Sequence, residues 1–439
     1  MPTNASEEYL RALAEGSFLK LWTIPNPFRS TGKELADLVV VFGDSVIIFS
    51  DKASTFDGND LALGWSRWRQ RTISQGVKQL AGAVRTLTDP QSLLFLDRRA
   101  TQPLPFDLAA VAKRRLYLVA VVRPDHDPTA APLSWQPLTY AARGPGPSAP
   151  FEIGPEWANG RFVHVFDGQA IELLLKHLST APDFLSYLSS REGVLPSRPG
   201  LVFSEPDLFA LATDTWTRGY GFNIDLPQPA QDGITYVPKG LWLEYCEGER
   251  SIRTQKLNTS SLVIDRLIDH FHTEDMSGRN YYPRQQTYSA HERALRILAS
   301  ESRFGRRLVS EPLFDLLNEE AVSNFWAATV PSRDVPNVRY VWLTYPPPPE
   351  NVSVEQLEEV IERHLRQHLV VARATFPEKV LVGIAVPNRA AEGQMAIKSY
   401  NMTVLDGSNW TPENQEEAEY YLSLGIFEGV QRREVLHIP

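Results

Sequence analysis

Cysteine is almost absent from this sequence of 439 residues. Cys246 stands alone, so no intrachain disulfide bond can form and a reducing compartment is indicated. No apolar run approaches the roughly 18 residues that a membrane-spanning helix requires. The amino terminus is acidic and polar, where a secretory signal needs a basic start and an apolar run. We therefore expect a cytoplasmic protein that has no membrane partner.

Basic residues are also in deficit, since 44 Lys and Arg stand against 53 Asp and Glu, a net charge of −9. This argues against a protein that simply coats nucleic acid, because phosphate contacts require Lys and Arg. The deficit is uneven: residues 61 to 120 carry ten basic and three acidic side chains, a net charge of +7. A basic segment in an otherwise acidic chain is a candidate contact for a polyanion, with a solvated surface as the alternative.

The sequence lacks the motif of serine hydrolases and a complete phosphate-binding loop. The sequence has no G-x-S-x-G, which would mark the nucleophile of a serine hydrolase. The tripeptide Thr31-Gly32-Lys33 superficially matches a phosphate-binding loop. However, Pro27 occupies the position of the first glycine, and an extended segment follows where a helix is required. The chemistry therefore has to come from another arrangement of residues.

The strongest short-range signal predicts a β-hairpin. Two β-branched and aromatic runs, residues 38 to 42 and 46 to 49, flank the pair Gly43-Asp44. Such a pair between two apolar runs is typical of a tight antiparallel turn. If the pair forms the whole loop, Phe42 lies opposite Ser45.

The polar residues at the open end of this hairpin need an explanation. A two-residue loop places Asp37 opposite Ser50. Because cross-strand partners share a face and side chains alternate along a strand, Asp37, Ser50 and Lys52 then project together. A three-residue loop would instead bring Asp51 opposite Asp37 and move Lys52 off that face. The first register gives one carboxylate and one ammonium group on a common face.

The elements around the hairpin predict an α/β sandwich that ends near residue 190. A helix over residues 4 to 13 precedes it and a helix over 65 to 87 follows. Strands at 115 to 122 and 162 to 166 and a helix at 169 to 178 complete the order. Residues 196 to 200, rich in proline, are a boundary.

The rest of the chain predicts a larger α/β module that contains a helical segment. Residues 200 to 330 are mainly helical, and residues 331 to 439 form an α/β part of unknown role. There, a strand at 338 to 345, a helix at 354 to 371 and a strand at 379 to 386 have the spacing of a β-α-β crossover. This spacing predicts a parallel pair of strands.

The first 125 residues resemble the PD-(D/E)xK nuclease superfamily, whose fold is restriction-endonuclease-like with a mixed central sheet. In that family an Asp begins one strand, and an acidic residue and a Lys two positions later end the next. A Glu often comes from the preceding helix, and a Gln commonly follows on the next helix. Asp37 falls on the family Asp, Lys52 on the Lys and Gln79 on the Gln. Ser50 stands where the family has its middle acid.

The resemblance implies a metal-dependent nuclease that uses Mg²⁺ or Mn²⁺ to hydrolyse phosphodiester bonds in DNA, with RNA as the alternative. It also implies a setting in prokaryotic restriction or phage defence. The implied catalytic residues are Asp37, Lys52, Glu34 and Gln79. The implied metal ligands are Asp37 and one further carboxylate, from Glu34, Glu15 or Asp51. The implied nucleic-acid contacts are Arg67, Arg69, Arg71 and Lys78.

The substitution at Ser50 leaves two other hypotheses open. The chain could be a catalytically inactive scaffold or nucleic-acid-binding protein that kept the nuclease fold. Alternatively, residues 200 to 439 carry the principal function, through a protein partner or regulator, and the first domain serves them. Fold alone does not decide between these hypotheses, because function resides in sites.

Overall fold

The computed structural model describes residues 5–89, 91–104, 114–127, 129, 131–142, 149–217, 221–276, 288–318, 324–347, 352–388, 400–428 and 431–432. The chain forms two compact units, Met1–Thr254 and Gln255–Pro439. Both are mixed α/β, as the sequence predicts. Within the described ranges, no helix combines the length and the apolar character needed to span a membrane.

The elements of the described part are as follows. The helices are α1 Ala5–Phe18, α2 Leu61–Arg69, α3 Gln75–Thr88, α4 Gly168–His177, α5 Ala181–Val194, α6 Glu205–Thr217, α7 Leu241–Glu247, α8 Glu249–Met276, α9 Tyr288–Ala299, α10 Arg303–Asn318, α11 Val354–Thr375 and α12 Pro412–Ser423. The strands are β1 Thr23–Pro25, β2 Phe28–Arg29, β3 Leu38–Phe42, β4 Ser45–Ala53, β5 Leu94–Phe95, β6 Arg115–Arg123, β7 Thr139–Ala142, β8 Glu152–Ile153, β9 Glu156–Ala158, β10 Arg161–Asp167, β11 Gly200–Val202, β12 Thr235–Val237, β13 Trp326–Pro331, β14 Val338–Tyr345, β15 Val380–Pro387, β16 Asn401–Asp406 and β17 Gln431–Arg432.

The first unit is built on a six-stranded mixed sheet of order β1-β3-β4-β6-β10-β9. β4, β6 and β10 run parallel, whereas β1, β3 and β9 pair antiparallel with their neighbours. α1 packs on one face, where the rings of Phe18 and Phe49 lie 6.4 Å apart. α3 packs on the other face against β4 and β6. The central strands are buried on both faces, which explains their near-continuous apolar sequence.

The hairpin register predicted from the sequence is confirmed. Phe42 pairs with Ser45, so Gly43 and Asp44 form the whole loop and the three-residue alternative is wrong. Gly43 has a φ of 54° and is the first central residue of the turn, as in a type II′ hairpin, where glycine is favoured. This turn fixes the register of the whole hairpin and so places Asp37 beside the end of β4.

Residues 65 to 87 are helical, as predicted. The helical segment begins earlier, at Leu61, and contains a π-turn. The Asp60 side chain accepts a hydrogen bond of 3.0 Å from the Leu63 N–H and so caps α2. A π-helical turn, Gln70–Ser74, joins α2 to α3. Such turns insert an extra residue and frequently occur at functional sites. Here the turn directly precedes the part of α3 that covers the end of β4.

The first unit extends past the boundary that the sequence suggests at residues 196 to 200. β11 pairs antiparallel with β7 and parallel with β12, within a second sheet of order β12-β11-β7-β8. Strands on both sides of the expected boundary therefore share one sheet. For this reason the compact unit reaches Thr254 instead of ending near residue 190.

The second unit contains a five-stranded sheet of order β16-β15-β14-β13-β17. β14 and β15 run parallel, with Val338 opposite Val380, so the predicted β-α-β crossover is confirmed. Its helix α11 begins at a capping box, in which the Ser353 side chain accepts from the Gln356 N–H. The apolar face of α11 packs on this sheet and closes the core of the unit.

Candidate functional site

Asp37 directly precedes β3 and is the centre of a hydrogen-bonded cluster in the first unit. Its carboxylate is buried and accepts hydrogen bonds from Asp51, Lys52 and Gln79. Oδ2 accepts from the Asp51 backbone N–H at 2.5 Å and from Lys52 Nζ at 3.0 Å. Oδ1 accepts from Gln79 Nε2 at 3.1 Å. The structure therefore brings together Asp37 before β3, Lys52 on β4 and Gln79 on α3.

Ser50 joins the same cluster through Gln79. Its hydroxyl donates to Gln79 Oε1 at 2.7 Å, which leaves the Gln79 amide group free to donate to Asp37. Gly76 of α3 faces Ser50, because a side chain there would begin 3.5 Å from Ser50 Oγ, an ordinary contact distance. Ser50 therefore orients Gln79 from the position where the resembling family has an acid.

Glu34 provides the second carboxyl group of the cluster. Its side chain hydrogen-bonds to that of Asp37. Burial, the hydrogen bond to Asp37 and the negative charge of Asp37 together raise the pKa of Glu34 to about 7, and burial has the largest effect. Glu34 is therefore partly protonated at neutral pH. Two acidic groups held this close form a place where a cation would be stabilised.

Glu7 and Asn26 belong to the cluster although sequence reasoning missed them. The charge of Glu7, in the first turn of α1, raises the pKa of Glu34, and a hydrogen bond from Asn26 lowers it. Asn26 Nδ2 also donates to Glu7 Oε2 at 3.4 Å. Two features of the sequence could have pointed to them: Glu7 lies in an acidic first turn of a predicted helix, and Asn26 lies between two prolines. In the structure Asn26 is buried.

The other two candidate carboxylates lie elsewhere. Glu15, also on α1, pairs with Arg11 at 2.6 Å. Asp51 has its side chain on the opposite face of β4, where Oδ1 accepts from Arg123 Nε at 3.3 Å. Burial raises the pKa of Asp51 to about 6, although the charge of Arg123 opposes this rise. Of the three carboxylates proposed as partners of Asp37, the structure joins Glu34 to it by a side-chain hydrogen bond.

The donor chemistry of this cluster fits a divalent cation such as Mg²⁺. In the described ranges, no three His, Cys, Asp or Glu side chains converge in a way that could hold a metal ion. Mg²⁺ does not require such a trio, because it keeps several waters and is usually bound through one or two carboxylates. Asp37 and Glu34 supply two carboxyl groups in contact. These are the residues that would hold the ion.

Three of the predicted nucleic-acid contacts line one surface cleft. This open cleft has a volume of about 580 Å³. It is lined by Trp65, Ser66, Arg67, Arg69, Gln70 and Arg71. Arg69 is paired with Glu156 at 2.5 Å. Arg67 and Arg71 are exposed. Lys78 is exposed on α3, outside this lining. The cleft lies along α2 and the π-turn, before the part of α3 that carries Gln79.

The chain matches no protein-family model, no curated protein and no solved structure.

Proposed function

We propose that the first unit is a metal-dependent nuclease that hydrolyses phosphodiester bonds in DNA. The observation that carries this proposal is the contact between the carboxyl groups of Glu34 and Asp37, beside the Lys52 ammonium group. This contact supplies a second carboxylate in a site whose middle acid is replaced by Ser50. A cluster of two carboxyl groups, an ammonium group and an amide matches the chemistry of phosphodiester hydrolysis.

Each residue has a distinct role in this proposal. Asp37 and Glu34 would hold Mg²⁺ or Mn²⁺, which neutralises charge on a phosphate group and makes a water molecule more acidic. The Lys52 ammonium group orients the attacking water and stabilises the charge that develops on the phosphate. Gln79 holds the Asp37 carboxylate in place through its 3.1 Å hydrogen bond. Ser50 fixes the orientation of Gln79.

The topology of the first unit supports the same proposal. The mixed sheet, with the antiparallel hairpin β3–β4 followed by the parallel strands β6 and β10, is compatible with a restriction-endonuclease-like fold. The arginines of the cleft beside α2 would contact the phosphate backbone, which supplies most of the affinity for nucleic acid. The sequence resemblance adds prokaryotic restriction or phage defence as the setting of such an enzyme.

A second candidate function is a DNA-binding scaffold without catalysis. It is favoured by the hydrogen bonds that Asp37 already accepts from Asp51, Lys52 and Gln79. These bonds use three of the roughly four lone-pair sites of a carboxylate. In a scaffold, the Asp37–Lys52 pair would stabilise the end of the hairpin and perform no chemistry.

A cleavage assay with Lys52→Met distinguishes the two functions. We expect the wild-type chain to cut plasmid and linear DNA in Mg²⁺ or Mn²⁺ and not in EDTA. Because Lys52 acts on charge that develops during the reaction, Lys52→Met should lower the single-turnover rate by about 10²-fold or more. Lys20→Met, at an exposed lysine outside the cluster, is the matched control and should cut at the wild-type rate.

Two other outcomes of this assay would contradict the proposed nuclease or its catalytic site. Metal-dependent cutting that survives Lys52→Met unchanged would reject the assignment of this cluster as the catalytic site. If the wild-type chain binds DNA and does not cut it with either metal, the scaffold function is supported instead.

A further inference from the structure

Two arginines converge beside α3, about one helical turn beyond Gln79. The Nη2 atoms of Arg29 and Arg85 lie 3.4 and 3.9 Å from the point where a side chain on Gly82 would begin. Gly82 follows Gln79 by three residues. Because an α-helix rises about 1.5 Å per residue, the two residues are separated by about 4.5 Å along the helix axis. The guanidinium groups therefore lie near each other on the side of α3 that Gly82 faces, about one turn from Gln79.

The two arginines lie beside each other without an ion pair to an acidic side chain in the part of the chain that the structure describes. Within the same described ranges, the buried Nε–H of Arg29 donates no hydrogen bond. Burial lowers the pKa of Arg29, and the nearby charge of Arg85 lowers it further. A glycine inside a helix also costs about 1 kcal/mol relative to alanine. The two like charges repel each other, and an anion between them would relieve that repulsion.

We propose that Arg29 and Arg85 together bind a phosphate group of the nucleic-acid strand, next to the phosphate that is cleaved. This inference rests on the proposed nuclease function. Guanidinium groups present several N–H donors in a fixed fork that matches the oxygen atoms of a phosphate. Two of them facing one space could donate to the same phosphate group from both sides.

The pair is held in a fixed relation to the candidate site by two elements. Glu34 and Arg29 belong to one short loop, closed by a β-bridge between Phe28 and Glu34. Gln79 and Arg85 belong to α3. A phosphate bound by the arginines would therefore be positioned relative to Asp37 through both connections. In this way the pair would set where along the strand the cut is made.

Inorganic phosphate is the probe that tests the arginine pair separately from cleavage. Calorimetric titration of the full chain should detect phosphate binding, and Arg29→Gln or Arg85→Gln should weaken it by about tenfold or more, because each loses hydrogen bonds from a charged group. Arg198→Gln, at an exposed arginine of the same unit, removes the same charge and should leave binding unchanged. Without phosphate, both variants should unfold at the wild-type temperature or above it, because the repulsion is removed.

Binding to duplex DNA gives a second readout. Arg85→Gln should reduce the slope of log affinity against log salt by about 0.9, the value expected when one phosphate contact is lost. The inference is overturned if the wild-type chain binds no phosphate or if neither variant weakens binding. Loss of phosphate binding in both variants, together with a wild-type chain that never cuts DNA, would support the anion site and reject the nuclease function. Cleavage by a wild-type chain whose variants still bind phosphate would reject the arginine pair alone.

Discussion

Asp37→Asn should abolish metal-dependent DNA cleavage while the fold is retained. An asparagine amide keeps an acceptor oxygen for the Asp51 N–H and for Lys52, which now lie at 2.5 and 3.0 Å. It loses the negative charge that attracts Mg²⁺ and that would hold the ion beside Glu34. We expect the single-turnover rate to fall by about 10²–10³-fold, the range seen when a preorganised charge partner is removed.

The matched control for this substitution is Asp44→Asn. Asp44 is an exposed aspartate at the turn of the same hairpin, at the end that is far from the cluster. It should cut DNA at the wild-type rate. Equal loss of cleavage in both variants would mean that the hairpin matters for folding alone, and circular dichroism would then show a loss of structure. Unchanged cleavage by Asp37→Asn would reject its role as a metal ligand.

Glu34→Gln should lower activity and raise stability at the same time. The Glu34 and Asp37 carboxyl groups are in contact, and burial raises the pKa of Glu34 to about 7. Above that pH both groups are charged and repel each other, so a neutral amide at position 34 relieves the repulsion. The same amide is a poor ligand for Mg²⁺. At pH 8 we therefore expect a higher thermal midpoint and a cleavage rate lower by about 10²-fold.

Glu15→Gln distinguishes the two glutamates that the sequence left as alternatives. Glu15 is paired with Arg11 on α1, and its loss should leave cleavage unchanged. Cleavage that is lost in Glu15→Gln and kept in Glu34→Gln would mean that the second carboxylate has been assigned to the wrong residue. A variant Glu34→Gln that loses both stability and cleavage would indicate a structural role.

The hairpin and most of its polar face could be predicted from the sequence because they depend on local rules. Turn chemistry at Gly43 and Asp44 fixed the register, and strand alternation then placed Asp37 and Lys52 on one face. Gln79 was identified through the resemblance to a family in which a helix with a Gln follows the hairpin. The contact between Gln79 and Asp37 joins residues 42 positions apart, so local rules alone would not have placed Gln79 in the cluster.

The rest of the cluster depends on contacts between distant segments. Glu7 reaches Asn26 through the packing of α1 against the strand that follows it, which no spacing in the sequence reveals. The pairing of β11 with β7 joins residues about sixty positions apart and moves the end of the first unit to Thr254. The meeting of Arg29 with Arg85 likewise depends on the placement of a loop against α3.

The most direct test of the central claim is Mn²⁺ binding to the full chain, measured by calorimetry at pH 8. The account predicts binding to the wild-type chain, loss of binding in Asp37→Asn and an affinity lower by about tenfold or more in Glu34→Gln, as expected when one carboxylate ligand is removed. Asp44→Asn should bind as the wild type does. Equal Mn²⁺ binding by the wild-type chain and Asp37→Asn, or no binding by the wild-type chain, would contradict the claim that Asp37 and Glu34 hold a catalytic metal.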